Sequence, residues 1–193
     1  TFGRPECYGT FGLVLGAVSY GIQIYCDFSS YSLIALGAAK TLGFDLINNF
    51  ETPYFAQSVT EFWHRWHISL STWLRDYVYI SMGGNRCSKW HQYWNILVTF
   101  MVSGLWHGAN WTFLIWGALH GVYQILEKEL RPVVRKINGY CHTKTASFGY
   151  RFAKAAVTFA LVDFAWIFFR ADSVKQALYY VKRMISFCDM WSL

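Results

Sequence analysis
The sequence predicts an all-α fold, a multispanning transmembrane helix bundle with a re-entrant or interfacial helical element. Three observations carry this. From Gln92 to Leu126 there is no Asp, Glu, Lys or Arg, which leaves room for two membrane crossings of about 17–25 residues each. Hydrophobic residues make up 54% of the chain and aromatics 20%, and Trp and Tyr favour the membrane–water interface. The basic residues behind the net charge of +6 cluster between apolar runs, the pattern of a membrane protein rather than of a nucleic-acid surface. A lipid membrane is therefore the expected partner, and nucleic acid is not. Mean hydropathy is only +0.22, as it would be if polar and aromatic segments lie between the spans.

Taken in order, Tyr8 to Cys26 is uncharged and long enough to span, and Gly9, Gly12, Gly16 and Gly21 suit close helix packing. Asp27 to Tyr31 reads as a polar interruption, after which Ser32–Ala39 begins a second apolar helix that Lys40 interrupts. Asn48–Tyr54 is a polar connector broken at Pro53. Residues 58–82 mix charges with tryptophans, and Ser58 or Thr60 is the expected cap. Helical spacing puts Trp63, Trp66, Leu70, Trp73 and Tyr77 on one side, bordered by His67. Gly83-Gly84-Asn85-Arg86 is a turn. Helices over Tyr93–Leu105 and Trp111–Leu126 flank Trp106–Asn110. The basic run from Lys128 to Lys154 reads as a cytoplasmic loop. Ala153–Phe169 is a further span with Asp163 at its middle, expected to pair with a histidine or an arginine. Ser173–Phe187 reads as an amphipathic helix on the membrane surface. The chain reads as a single membrane domain over 1–193, with no internal repeat. Without an initiator Met, and with an apolar segment so close to Thr1, it is expected to be a fragment that lacks N-terminal helices.

The chemistry-bearing residues are few. His107 lies in the charge-free run between Trp106 and Trp111, flanked by Gly104 and Gly108. An ionisable residue at membrane depth is a functional candidate, and a neutral imidazole in an apolar setting is a base. His120 reads as structural, and His91 and His142 as solvated. His64 and His67 form an HxxH pair without the carboxylate of HExxH, so no metal is expected. Cys7, Cys26, Cys87, Cys141 and Cys188 have no CxxC spacing and read as small core or lipid-facing residues. No GxSxG nucleophile elbow occurs. Base catalysis by histidine is then the simplest enzymatic scheme. A transporter subunit and a non-catalytic scaffold are the readings from other classes.

Three ordered motifs carry a resemblance: Trp63-His64-Arg65-Trp66-His67-Ile68-Ser69-Leu70-Ser71-Thr72-Trp73-Leu74-Arg75-Asp76-Tyr77, then Gly83-Gly84-Asn85-Arg86, then Ser103-Gly104-Leu105-Trp106-His107-Gly108. Together with Gln23–Tyr31 they closely resemble the membrane-bound O-acyltransferase superfamily, in its bacterial branch of alginate O-acetylase and teichoic acid D-alanyl transferase subunits. The GGNR turn favours the alginate-acetylase side. The resemblance implies a multi-pass protein of the cell membrane that carries an acyl group, acetyl before D-alanyl, from a cytoplasmic thioester to a hydroxyl of a surface polysaccharide. It implies no bound cofactor, only a thioester co-substrate, acetyl-CoA or an acyl carrier protein. It also implies an extracytoplasmic partner, an SGNH-type acetyltransferase or another acyl-relay protein. The family's invariant histidine falls on His107 and its second conserved polar residue on His67. His107 would then be the base. His67, or Ser69 and Ser71 nearby, would orient the donor carbonyl or hold the oxyanion. Trp66, Trp106 and Asn110 would line or support the tunnel.

Overall fold
A computed structural model describes residues 1–186; Phe187, the end of the predicted amphipathic tail, and Cys188 lie outside the described residues. Within them the protein is all-α, with seven α-helices and no strands. Helix α1 spans Thr10–Thr41, α2 Val59–Arg65, α3 Ile68–Leu74, α4 Lys89–Trp106, α5 Trp111–Tyr140, α6 Phe148–Arg170 and α7 Val174–Ile185. Two of them, α1 and α6, are long and apolar enough to cross a membrane.

The predicted interruption after Cys26 is absent, and α1 runs unbroken through Asp27 to Thr41. Ser29 and Ser30 do not break it because their hydroxyls donate back to the carbonyls of Cys26 and Asp27 three residues earlier, and no proline intervenes. Lys40 falls in the last turn, where a cation suits the carbonyl end of the helix.

Residues 59–74 depart from the prediction in the other direction. The helix breaks at Trp66, which is extended, and His67, which is left-handed at φ 46°. The cause is a short antiparallel pairing with the connector. Glu51 N–H donates to Arg65 O, Ile68 N–H donates to Asn49 O, and Phe50 bridges Trp66. Asn49 Oδ1 also accepts from the Ser69 N–H at 3.2 Å and the Ser69 hydroxyl at 2.7 Å. The single aromatic side expected over 63–77 therefore splits. Trp63 and Trp66 are buried, whereas Trp73 is 52% and Tyr77 67% exposed. Ser58 is the cap of α2, accepting from Glu61 N–H. A π-helical turn over Arg75–Tyr79 leads into the glycine turn, where Gly83 and Gly84 have φ 99° and 53°.

Helices α4 and α5 form a tight hairpin. A Cβ on Gly104 would strike Phe113 O, and one on Gly117 would strike Phe100 O, so the backbones touch where only glycine fits. Helix α5 then continues past Leu126, through Pro132, to Tyr140, so the first half of the predicted basic loop is helical. Residues 127–140 other than Pro132 and Gly139 are ordinary helix formers, and charge alone does not end a helix. Helix α6 packs between α5 and α1, and α7 lies on α1 and α6. On α7, Ala177 and Tyr180 are buried, whereas the apolar Leu178 and Ile185 are exposed. The Tyr180 ring stacks on Phe2 and its hydroxyl donates to Leu13 O at 2.6 Å. The core is an aromatic cluster around Trp66, Trp116 and Trp166, fed by α1, α2, α5 and α6.

Candidate functional site
The α4–α5 hairpin sets His107. The chain leaves α4 at Trp106, turns through Gly108 at φ 150°, and re-enters α5 behind Asn110. Asn110 Oδ1 caps α5 by accepting from the Thr112 N–H at 3.1 Å, and its Nδ2 donates to Asp172 O at 3.3 Å. That ties the turn to the α6–α7 junction. The His107 ring meets Trp106, Trp116 and Phe169 edge-on, with centroids 5.0, 5.3 and 5.0 Å away.

The break between α2 and α3 sets His67. The left-handed backbone turns its ring onto Phe28 of α1, 4.7 Å between centroids, and toward Trp106 at 6.0 Å. The Trp106 ring therefore contacts both imidazoles. Ser69 Oγ lies 3.5 Å from His67 Nδ1. Both histidines are half-buried at helix junctions. Burial pulls the pKa of each down to about 4, and for His67 the neighbouring His107 adds to the drop. Each imidazole is thus held neutral, able to accept a proton at one nitrogen and donate from the other.

The two imidazoles share the wall of a cavity of about 370 Å3. Trp66 and Trp106, expected beside the histidines, line it too. The serines do not. Ser69 donates to Asn49 Oδ1, and Ser71 donates to Trp66 O at 3.2 Å. Both hydroxyls are engaged at the helix break, and neither serine is among the cavity-lining residues. Asn110 is likewise outside the lining, in a supporting position. His64, the other half of the HxxH pair, is exposed on α2 and does not converge with His67.

His120 is fully buried, as a structural histidine should be, and its Nδ1 accepts from Trp63 Nε1 at 3.2 Å. That bond locks one cavity wall. His91 and His142 are exposed. Asp163 has neither a histidine nor an arginine in ion-pairing range among the described residues. Gly21 of α1 crosses over it so closely that a Cβ there would sit 2.8 Å from Asp163 Oδ1. Sequence reading also missed part of the lining, namely Gln23, Asp27 and Tyr31 on α1 and Trp116, Trp166 and Phe169 on α5 and α6. The signal for the first group was their four-residue spacing, which sets them on one face of a helix.

Comparison with known proteins gives this geometry a context. The chain matches the MBOAT, membrane-bound O-acyltransferase family, over residues 7–171. It is 46% identical over 179 residues to the protein named Probable alginate O-acetylase AlgI of Azotobacter vinelandii, covering 93% of this chain and 34% of that protein. It is 38% identical over 169 residues to a peptidoglycan O-acetyltransferase of Helicobacter pylori, covering 88% and 31%. To a teichoic acid D-alanyltransferase of Streptococcus thermophilus it is 34% identical over 110 residues, covering 53% and 26%. The chain thus spans about a third of the length of the relatives it matches.

Proposed function
The chain belongs to the membrane-bound O-acyltransferase family, and from that premise we propose that it is the histidine-bearing part of a multi-pass O-acyltransferase of the plasma membrane. The enzyme moves an acetyl group from a cytoplasmic thioester toward a hydroxyl of a cell-surface polysaccharide. The single observation that carries this is that His67 and His107 line one aromatic-walled cavity. Relatives named for O-acetylation of alginate and of peptidoglycan support the polysaccharide.

In this scheme a nitrogen of neutral His107 takes the proton of the acceptor hydroxyl as its oxygen attacks the thioester carbonyl carbon. The carbonyl oxygen gathers the negative charge, and the N–H of His67 donates to it. The C–S bond then breaks, the new ester forms, and the proton on His107 passes to the departing thiolate. An acetyl thioester, from coenzyme A or an acyl carrier protein, is the co-substrate. The aromatic walls exclude water, which would otherwise compete with the acceptor. An extracytoplasmic SGNH-type acetyltransferase or another acyl-relay protein completes the delivery.

The test uses the full-length parent protein in its own cells. Acyl esters released by mild alkali from the envelope polysaccharide are compared between wild type and His107→Ala at matched membrane levels. Loss of a general base cuts turnover by roughly 10²–10⁴-fold, so the esters should fall to background. Unchanged ester content would sink the proposal. A second reading, D-alanyl transfer to teichoic acid, rests on the D-alanyltransferase relative. The released group separates the two, acetate for the first and alanine for the second.

A further inference from the structure
The cavity that holds His67 and His107 has two kinds of wall. Its α1 side carries the polar side chains of Gln23, Asp27 and Tyr31, whereas its α5 and α6 side is aromatic throughout, formed by Trp116, Trp166 and Phe169. Trp166 and Phe169 stand three residues apart on α6 and so share a face, which packs onto Trp116 of α5. The two indoles are stacked, with 5.6 Å between centroids and 22° between planes. Phe169 meets each of them at 5.1 Å, edge to face. Phe169 and Trp116 are also in edge contact with the His107 ring, at 5.0 and 5.3 Å. The stack is held from behind. Trp116 rests on His120 at 5.1 Å and on Trp63 at 5.8 Å, and the Trp63 Nε1–H donates to His120 Nδ1. Trp116 and Trp166 are 1% and 2% exposed, and close-packed aromatic rings give way only at the cost of strained rotamers. Phe169, half-buried, is the least enclosed of the three.

We propose that Phe169, backed by Trp116 and Trp166, is the acyl-length stop of this transferase: the methyl of an acetyl group rests against its ring, and longer acyl chains are excluded. The inference rests on the acyl-transfer reading and adds to it the residue that selects the acyl group. A thioester carbonyl served by both imidazoles has to lie beside both. Its acyl tail is apolar and gains by turning from the polar α1 side to the aromatic side. There it meets Phe169 almost at once, because that ring is already in contact with His107. An extra methylene against a fixed apolar wall changes discrimination roughly 10–200-fold. The stop acts on the donor alone, so it holds whichever hydroxyl, that of a relay protein or another, receives the group. Phe169 touches the acyl tail in this scheme and moves no proton.

The experiment uses membranes of the protein's own cells carrying the full-length parent protein. Transfer of radiolabelled acetyl from acetyl-CoA, or from an acetyl carrier-protein thioester, is inhibited with ketone analogues of the same donor. In these a methylene separates sulfur from carbonyl, so they bind without being transferred, and the chain beyond the carbonyl is methyl, ethyl or propyl. The transferred group is acetyl in every assay, so later steps of delivery do not bias the comparison. In wild type the inhibition constant Ki should rise by roughly 10-fold or more from methyl to ethyl, and further for propyl. Phe169→Leu should narrow that ratio, and Phe169→Ala should bring the propyl analogue level with the methyl one. Leu keeps most of the apolar volume of a half-buried ring, so folding is retained, and a ratio within one variant does not depend on the amount of active protein. Equal Ki values along the wild-type series overturn the stop without recourse to any variant. So does a ratio that both substitutions leave unchanged. Acetyl transfer abolished in both variants at wild-type protein levels also overturns it, because a residue outside the proton path should leave that transfer in place. Wild-type membranes that transfer label from neither donor overturn the acyl-transfer reading, and the stop with it.

Discussion
His67 and His107 behave as a pair because one ring, Trp106, touches both and one cavity serves both. Their depressed pKa values lead to a prediction about pH. A base must be neutral to act. An imidazole near its ordinary pKa of about 6.5 is half protonated there, but burial moves that point to about 4 for both residues. The acid limb of kcat/KM should therefore lie well below pH 6.5, with activity level through about pH 6. The measurement is acyl transfer in membrane vesicles buffered across that range. An acid limb centred at 6.5 would mean that the working base is solvated. His107, His67 and the structural nature of His120 are legible from residue type and neighbours. The placement of the Ser69 and Ser71 hydroxyls is not, since a hydroxyl within reach of a histidine in sequence is free to bond elsewhere. Here Asn49 and the Trp66 carbonyl claim both.

At the scale of elements, helices of uniform apolar character were read well and their ends poorly. The α4–α5 hairpin follows from its charge-free run, and Gly104 and Gly117 explain how the two helices approach. Gly117→Ala should force the backbones apart, at a cost of about 1–3 kcal/mol or more. Gly139→Ala, on the same helix with nothing within 4 Å, should be neutral or stabilising by up to ~1 kcal/mol. Thermal midpoints of the full-length protein in detergent check the contrast, and equal midpoints would refute the close approach. The unbroken course of α1 and the broken course of 59–74 were both misread, for one reason. Polar side chains that bond to their own helix leave it intact, whereas a separate segment that offers backbone partners ends it. The Asn49–Glu51 segment does this to Arg65–Ile68, and no local pattern in 59–74 announces it.

Across the whole molecule, α5 carries Lys128, Arg131, Arg135 and Lys136 on its far half, beyond the hairpin. The positive-inside bias predicts that this end faces the cytoplasm. Cys141 closes α5 and is exposed. A full-length variant with Cys141 as its only cysteine should react with a membrane-impermeant maleimide in inside-out vesicles and not in intact cells. The reverse pattern would invert the topology and, with it, the face from which the proposed thioester donor would approach.

The sequence by itself determined the helical class, the hairpin that presents His107, the glycine turn and the family, because these rest on local composition and on motifs whose residues are contiguous. Tertiary structure decided where the helices end, which polar side chains meet, and that α1 supplies one wall of the cavity. Those outcomes depend on partners far apart in the chain: Asn49 with Ser69, Phe28 with His67, Asn110 with Asp172, Gly21 with Asp163. A hydrogen bond or a ring contact is fixed by distance in space, and spacing along a chain reports that distance only within a single helix or strand.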